Sequence, residues 1–345
     1  MKKNLWINIG FQAGALVLSL VITTLILLAA GAPPLKAYGS ILSGSFGSSK
    51  NLMSVLITWS PLLLTTAGVL ITFAAGLWNI GVEGQMVLGA IFATWMLRLL
   101  QDTSLPPALI IFLGIFWGMV GGALWAALAG ALKTFGGVNE IFGGLGLDFV
   151  ATALTIYLVF GPWKRPGVGS MSGTQPFAEK LWLPTLPGTG LSLWALGISV
   201  LAVILVYLLL RGTYFGLRLK AVGKNTKAAF LLGVPTWQYS MLSFLTCGLL
   251  VGLAGAIQVV AVYHRLLPNI SNGYGWLGLL VAMLINYQAV WVIPIAFFFA
   301  ALNVGTVQLQ ILYKMDASFA GVLQDLLVLM VLLGQGLRER FMKKV

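Results

Sequence analysis

Apolar runs of about 20 residues, PLLLTTAGVLITFAAGLW among them, recur from one end of this 345-residue chain to the other. Each is long enough to cross about 30 Å of hydrocarbon as a helix. Within hydrocarbon every backbone N–H and C=O needs a partner from the protein itself, which leaves only helices and closed barrels. A barrel would read as short alternating strands, whereas these long Leu-, Ala- and Gly-rich stretches argue for helices. Composition agrees: 59% of the residues are hydrophobic and 8% charged, against about 25% charged in a soluble domain. The chain reads as an all-α polytopic membrane protein.

The net charge is +12, but its placement says more than its size. Basic residues gather at Lys2 and Lys3, at Lys133, at Arg211, Arg218, Lys220, Lys224 and Lys227, and at Arg338, Arg340, Lys343 and Lys344. The positive-inside rule assigns these segments to the cytoplasmic side and accounts for the charge without nucleic acid. The apolar stretch from Ile9 to Ala30 exceeds the 7–15 residues of a signal core, so it is expected to stay as a first span. With it the chain has about ten spans, near 7–30, 52–75, 86–100, 107–132, 139–160, 191–210, 238–262, 275–287, 290–311 and 318–335. They form a single transmembrane domain over 1–345, with both termini cytoplasmic, a Pro-rich outside loop at 161–190 and a cytoplasmic segment at 211–237. Lone Cys247 reads as a buried packing residue.

Two Gly-rich interruptions suggest an inverted repeat of spans 2–5 and 7–10. NIGVEGQMVLGA precedes AGALKTFGGVNEIFGGLGLD, which ends at Asp148; NGYGWLGLLVA precedes VQLQILYKMDASFAGVLQD, which ends at Asp325. Inverted repeats with broken helices are a recurring transporter plan, with the substrate path at their interface.

Catalytic signatures are missing. No G-x-x-x-x-G-K-[ST] loop occurs, His264 has no Cys or His cluster to join, and no nucleophile, base and acid stand at a known spacing. Polar groups inside the apolar walls carry the remaining signal. A carboxylate at a span centre costs about 2.5–3.5 kcal/mol on insertion scales, so Glu83 should face a cavity, a partner or water. Gly81 and Gly84 beside it let the backbone leave the helix. Asn79, Glu83, Gln85, Asn139 and Asn272 are the candidates for lining or bracing a substrate path. Asn139 and Glu140 also suit a helix start, where negative charge is favoured. Asp148 and Asp325 should pair with polar neighbours.

Residues 212–234, GTYFGLRLKAVGKNTKAAFLLGV, are basic, amphipathic and too polar to span. A short helix from an Asn225 N-cap, following a bend at Gly223, could lie on lipid head groups or dock into a partner's groove.

Here Thr213, Gly216, Arg218, Ala221, Gly223, Asn225, Ala228, Ala229 and Gly233 resemble the coupling segment of ABC-importer permeases of the ribose and simple-sugar superfamily. NIGVEGQMVLGA resembles the form found in their nucleoside-transport branch, and SPLLLTTAGVLITFAAGLWNIGVEGQ and GGVNEIFGGLGLDFVA extend the likeness across most of the chain. The chain is similar to the longer of the two permeases such systems pair; GGLGLD departs from the pattern, since relatives tend to carry an asparagine near Asp148. The resemblance implies a passage for a nucleoside or related simple sugar, a second permease subunit in a heterodimer, and delivery by an extracytoplasmic binding lipoprotein. It further implies a bacterial-type cytoplasmic (inner) membrane and a separate cytoplasmic ATPase that binds the ATP and Mg, with no cofactor on this chain and the nine residues above as the docking element.

Two other classes stay open on the residues alone. An ion-coupled secondary transporter would use Glu83, Asp148 or Asp325. A membrane-embedded enzyme would need a catalytic constellation, and none is found.

Overall fold

The computed structural model describes residues 2–167, 173–285, 288–316 and 318–342. Regular structure among them is wholly helical. The helices are α1 (Lys2–Ala29), α2 (Pro34–Phe46), α3 (Ser49–Ala74), α4 (Val82–Leu100), α5 (Pro107–Thr134), α6 (Glu140–Phe160), α7 (Leu193–Gly212), α8 (Tyr214–Lys224), α9 (Thr226–Leu231), α10 (Thr236–Ile257), α11 (Tyr274–Leu284), α12 (Val292–Tyr313) and α13 (Phe319–Met342). A π-helical turn, Gln258–Tyr263, prolongs α10.

Each of the ten expected spans coincides with a helix, but the count of ten is not reached on length and composition. Six helices, or seven if a bent pair counts as one span, are long and apolar enough to cross a membrane among the described residues. The shortfall has a physical origin. The 11 residues of α11 rise only about 16 Å, and α4 carries Glu83, Gln85 and Arg98 in its 19 residues. Helix α2 was not expected. Pro34 at its first position has no N–H to waste there, and the chain turns by 105° between Val17–Ala29 and α2.

The chain divides into two compact units, and the division does not follow the halves of the expected repeat. Met1–Val55 with Phe297–Val345 form one. Its core joins Leu27, Ala32, Ala37 and Ile41 to Leu309 and Leu323, and Ser45 Oγ donates to the Ala301 carbonyl at 2.6 Å.

Leu56–Ala296 form the other. Here α4, α5 and α10 meet backbone to backbone. A Cβ on Gly89 would lie 2.5 Å from Gly252 Cα, one on Gly122 would lie 2.5 Å from the same atom, and one on Gly118 would lie 2.9 Å from the Gly89 carbonyl oxygen. Close approach through small residues is how helices associate where lipid removes the hydrophobic drive. The Pro-rich segment after α6 folds back on the end of α10. Thr174 N–H donates to Leu266 O, Phe177 N–H to His264 O and Leu183 N–H to Val260 O, at 2.8–2.9 Å. Trp182 stacks on His264 with ring centroids 3.8 Å apart.

Candidate functional site

Helix α3 stops at Ala74 and α4 starts at Val82, so NIGVEGQ spans a break and the restart after it. Gly76 turns the chain at φ 71°, a conformation that glycine adopts without a Cβ penalty. The second Gly-rich interruption leads into α11, and Glu83 joins the two. Its Oε1 accepts the Gly273 N–H at 3.1 Å; its Oε2 accepts those of Gly275 at 2.8 Å and Trp276 at 3.4 Å. A carboxylate there satisfies orphan donors of the α11 N-terminus and meets the positive end of its dipole. A Cβ on Gly275 would lie 2.8 Å from Glu83 Cα, so glycine is what admits the carboxylate. Thr65 Oγ1 of α3 donates to the Tyr274 carbonyl at 3.1 Å, which holds α11 from its other side.

One residue further, the Gly84 N–H donates to Asp148 Oδ1 of α6 at 2.7 Å. The expectation of a polar partner for Asp148 is met by a backbone group. Its Oδ2 and the Trp125 Nε1 of α5 have no hydrogen-bond partner. Both side chains border Gly84, where a Cβ would stand 2.7 Å from Asp148 Oδ1 and 2.9 Å from Trp125 Nε1.

The amides of Asn79 and Gln85 are turned on each other. Gln85 Nε2 donates to Asn79 Oδ1 at 2.9 Å, and Asn79 Nδ2 donates to Gln85 Oε1 at 3.2 Å and to Cys247 Sγ at 3.1 Å. All three side chains are buried. Cys247 lies near the middle of α10, so the break is met at the middle of a candidate span. Cys247 is thus a partner of the break as well as a packing residue, a role its lone occurrence in the sequence could not signal.

The other two path candidates lie differently. Asn272 adjoins the Glu83 bridge, is exposed, and donates from Nδ2 to the Tyr274 hydroxyl at 3.3 Å. Asn139 does not join the group: its Oδ1 accepts the Ile141 N–H at 2.9 Å as the N-cap of α6. Glu140 beside it pairs with Lys133 at 2.5 Å.

Residues 212–234 form two helices. Thr213 caps α8, its Oγ1 accepting the Gly216 N–H at 3.1 Å, and Asn225 caps α9 as expected, its Oδ1 accepting the Ala228 N–H at 3.0 Å. Gly233, at φ 81°, follows the end of α9. Arg218 reaches the Tyr239 hydroxyl at 3.3 Å. Ala221 is half-buried, Ala228 exposed and Ala229 buried. The expected bend at Gly223 is corrected: this residue is helical, inside α8. Its lack of a side chain serves an approach to the end of α3, where a Cβ would lie 2.8 Å from Gly76 N and overlap the Ala74 carbonyl. Phe230, Leu231 and Leu232 are exposed, the two leucines at 84% and 82%.

Among the described residues no three His, Cys, Asp or Glu side chains cluster as metal ligands would. The arrangement is one of mutually braced helix ends, with α8 against the last turn of α3 and Glu83 at the first turn of α11.

A model of the family described as branched-chain amino acid transport system, permease component, matches residues 51–334. The glucose ABC transporter permease protein of Haloferax volcanii is 30% identical over 337 residues, covering 95% of this chain and 88% of that one. The guanosine ABC transporter permease protein of Bacillus subtilis is 26% identical over 326 residues (92% and 91%). A nucleoside ABC transporter permease protein of Lactococcus lactis is 25% identical over 300 residues (84% and 82%). A second permease from each of these organisms also matches.

Proposed function

Because this chain belongs to the family of branched-chain amino acid transport system permease components, we propose that it forms the passage by which an ATP-driven importer moves a nucleoside. It is a multi-pass membrane protein and a permease subunit of an ABC importer. Nucleoside is favoured over a simple sugar by the relatives named for guanosine and nucleosides; the glucose relative supports the second reading. The passage is completed by a second permease, in keeping with the two matching permeases of each related organism. An extracytoplasmic lipoprotein delivers the substrate. A cytoplasmic ATPase binds ATP and Mg and docks on α8 and α9, so this chain needs no cofactor of its own. The membrane is the cytoplasmic one, with both termini and α8–α9 on its inner side, as the clustering of basic residues favours.

The observation that carries this reading is the chain of close contacts from α8 to the broken helices. Gly223 of α8 lies against Ala74 and Gly76, and the break they begin leads to Glu83, which holds α11. A push on α8 therefore meets the end of α3 without a flexible side chain between, which is the physical continuity that coupling requires. Asn79, Glu83 and Gln85 brace that break, and Asn272 borders it.

The test is reconstitution with the ATPase, second permease and binding lipoprotein, followed by uptake of labelled nucleoside against competing nucleosides and sugars. Nucleosides should compete and glucose should not. Leu231→Ser with Leu232→Ser should release the ATPase from the purified complex and leave the helical fold intact. Uptake that collapses with the ion gradients while ATP is held constant would instead identify an ion-coupled secondary transporter.

A further inference from the structure

A cavity of about 510 Å³ opens where α3, α7 and α8 end together, beside the turn that precedes α12. Its lining includes three cations, Arg211, Lys220 and Lys224, and no acidic side chain. The one ion pair among the described residues joins Lys133 to Glu140, so none of the three is neutralised. Two are nevertheless held in place. Lys220 Nζ donates to the Leu210 carbonyl at 2.6 Å, and the Arg211 guanidinium lies over the Tyr207 ring and bonds its hydroxyl. The rest of the lining includes the apolar side chains of Phe73 and Val290.

We propose that this cavity binds the phosphate-bearing headgroup of an anionic membrane lipid. Three cations lining one cavity are the complement of a phosphate, and Arg in particular matches its oxygens two at a time. The cavity sits at the ends of two candidate spans, Ser49–Ala74 and Leu193–Gly212, the depth at which headgroups lie. Its volume exceeds what a free phosphate fills, and the apolar side chains suit the glycerol and the first acyl carbons. Basic pockets between helices at a membrane surface are a recurring lipid-binding form. Gly223 and Ala74, which touch each other, also line it, so a bound lipid would clamp α8 to the end of α3 and set how firmly the coupling contact is held. That regulatory consequence rests on the coupling reading; the binding itself does not.

The experiment uses the full chain in nanodiscs of phosphatidylglycerol, of phosphatidylcholine and of their mixture. Lipid retained through detergent exchange is identified by mass spectrometry. Phosphatidylglycerol should be retained in preference, and Arg211→Gln with Lys224→Gln should weaken the preference about tenfold or more, as expected for two basic groups at a membrane surface. Lys227→Gln, which removes a charge from α9 outside the cavity, should leave it unchanged. Thermal unfolding checks that the double variant folds, and Lys224→Gln alone supplies a milder loss if it does not. Equal retention of both lipids, or a preference unchanged in the double variant, overturns the proposal. So does displacement of the retained lipid by millimolar inorganic phosphate, which would assign the cations to a free anion. ATPase binding is absent from this assay, so a failed docking model and a failed lipid site are told apart.

Discussion

The carboxylate of Glu83, in the first turn of α4, accepts the backbone N–H of Gly275, in the first turn of α11, at 2.8 Å. Two helix N-termini thus meet at one carboxyl group. Glu83→Leu strands three backbone donors, and leaving a buried donor unsatisfied costs about 1–3 kcal/mol. We expect a clear fall in the unfolding temperature in detergent and loss of uptake. Glu83→Gln retains one acceptor oxygen and should fall between the leucine variant and the parent. Full tolerance of leucine would show that the bridge holds nothing.

Asp148 separates transport classes. Its Oδ1 serves Gly84, while its Oδ2 has no partner. Asp148→Asn keeps an acceptor for Gly84 and removes a buried ionisable group whose second oxygen has no partner. Its thermal stability should equal or exceed the parent's, with uptake retained. Abolished uptake in a stable Asn variant would point to proton coupling at this carboxylate.

The facing amides of Asn79 and Gln85 should behave as a unit. Replacing either one with leucine strips the other of its amide partner and leaves it only the Cys247 sulfur, at about 1–3 kcal/mol. The double replacement should cost less than the sum of the singles. Chemical denaturation of all four proteins closes the cycle, and strict additivity would refute the pairing.

Gly223→Ala places a methyl against the Ala74 carbonyl. Overpacking of this kind costs about 1–3 kcal/mol, small enough for the helices to remain folded. The expected outcome is basal ATPase that persists while its stimulation by loaded binding protein drops several-fold. Unchanged stimulation would remove α8 from the coupling route.

Burial of His264 holds its imidazole below the ordinary 6.5. The folded form therefore binds fewer protons than the unfolded one around that value. The stability it contributes is complete above 6.5 and is lost as pH falls through 6.5 toward the lowered value. Since Trp182 stacks on this ring, proteolytic cutting within 173–190 should accelerate near pH 5 relative to about pH 7.5. His264→Gln should flatten that dependence.

Much of this was legible in the residues. Apolar run lengths located the helices at all ten expected spans, and Gly81 marked the end of the break, whereas Gly84 lies inside α4, where its missing side chain makes room for Asp148 and Trp125. Asn225 was readable as a cap because its chemistry is local. What the chain order hid were contacts between distant segments. Nothing near Glu83 says that its partners lie at 273–276, nothing near Asp148 points to Gly84, and Cys247 looks inert until Asn79 is seen beside it. Gly223 misled for the same reason: a glycine spared for a neighbour's backbone and one spared for a bend look identical in one dimension.

The crossings of α4, α5 and α10 limit how this protein can move. At Gly89, Gly122 and Gly252 the neighbouring backbones themselves are the surfaces in contact. Sliding one helix along another by a residue would drive a Cβ into main chain, and no rotamer change could relieve it. Such a junction behaves like meshed gear teeth with no slack, so the three helices must travel together as a stator. Helix α11 meets Glu83 and Thr65 through Gly275 and Gly278 just as closely, but it is short and hydrogen-bonded there, so it and the broken end of α3 are the parts whose anchorage can be made and unmade within a transport cycle.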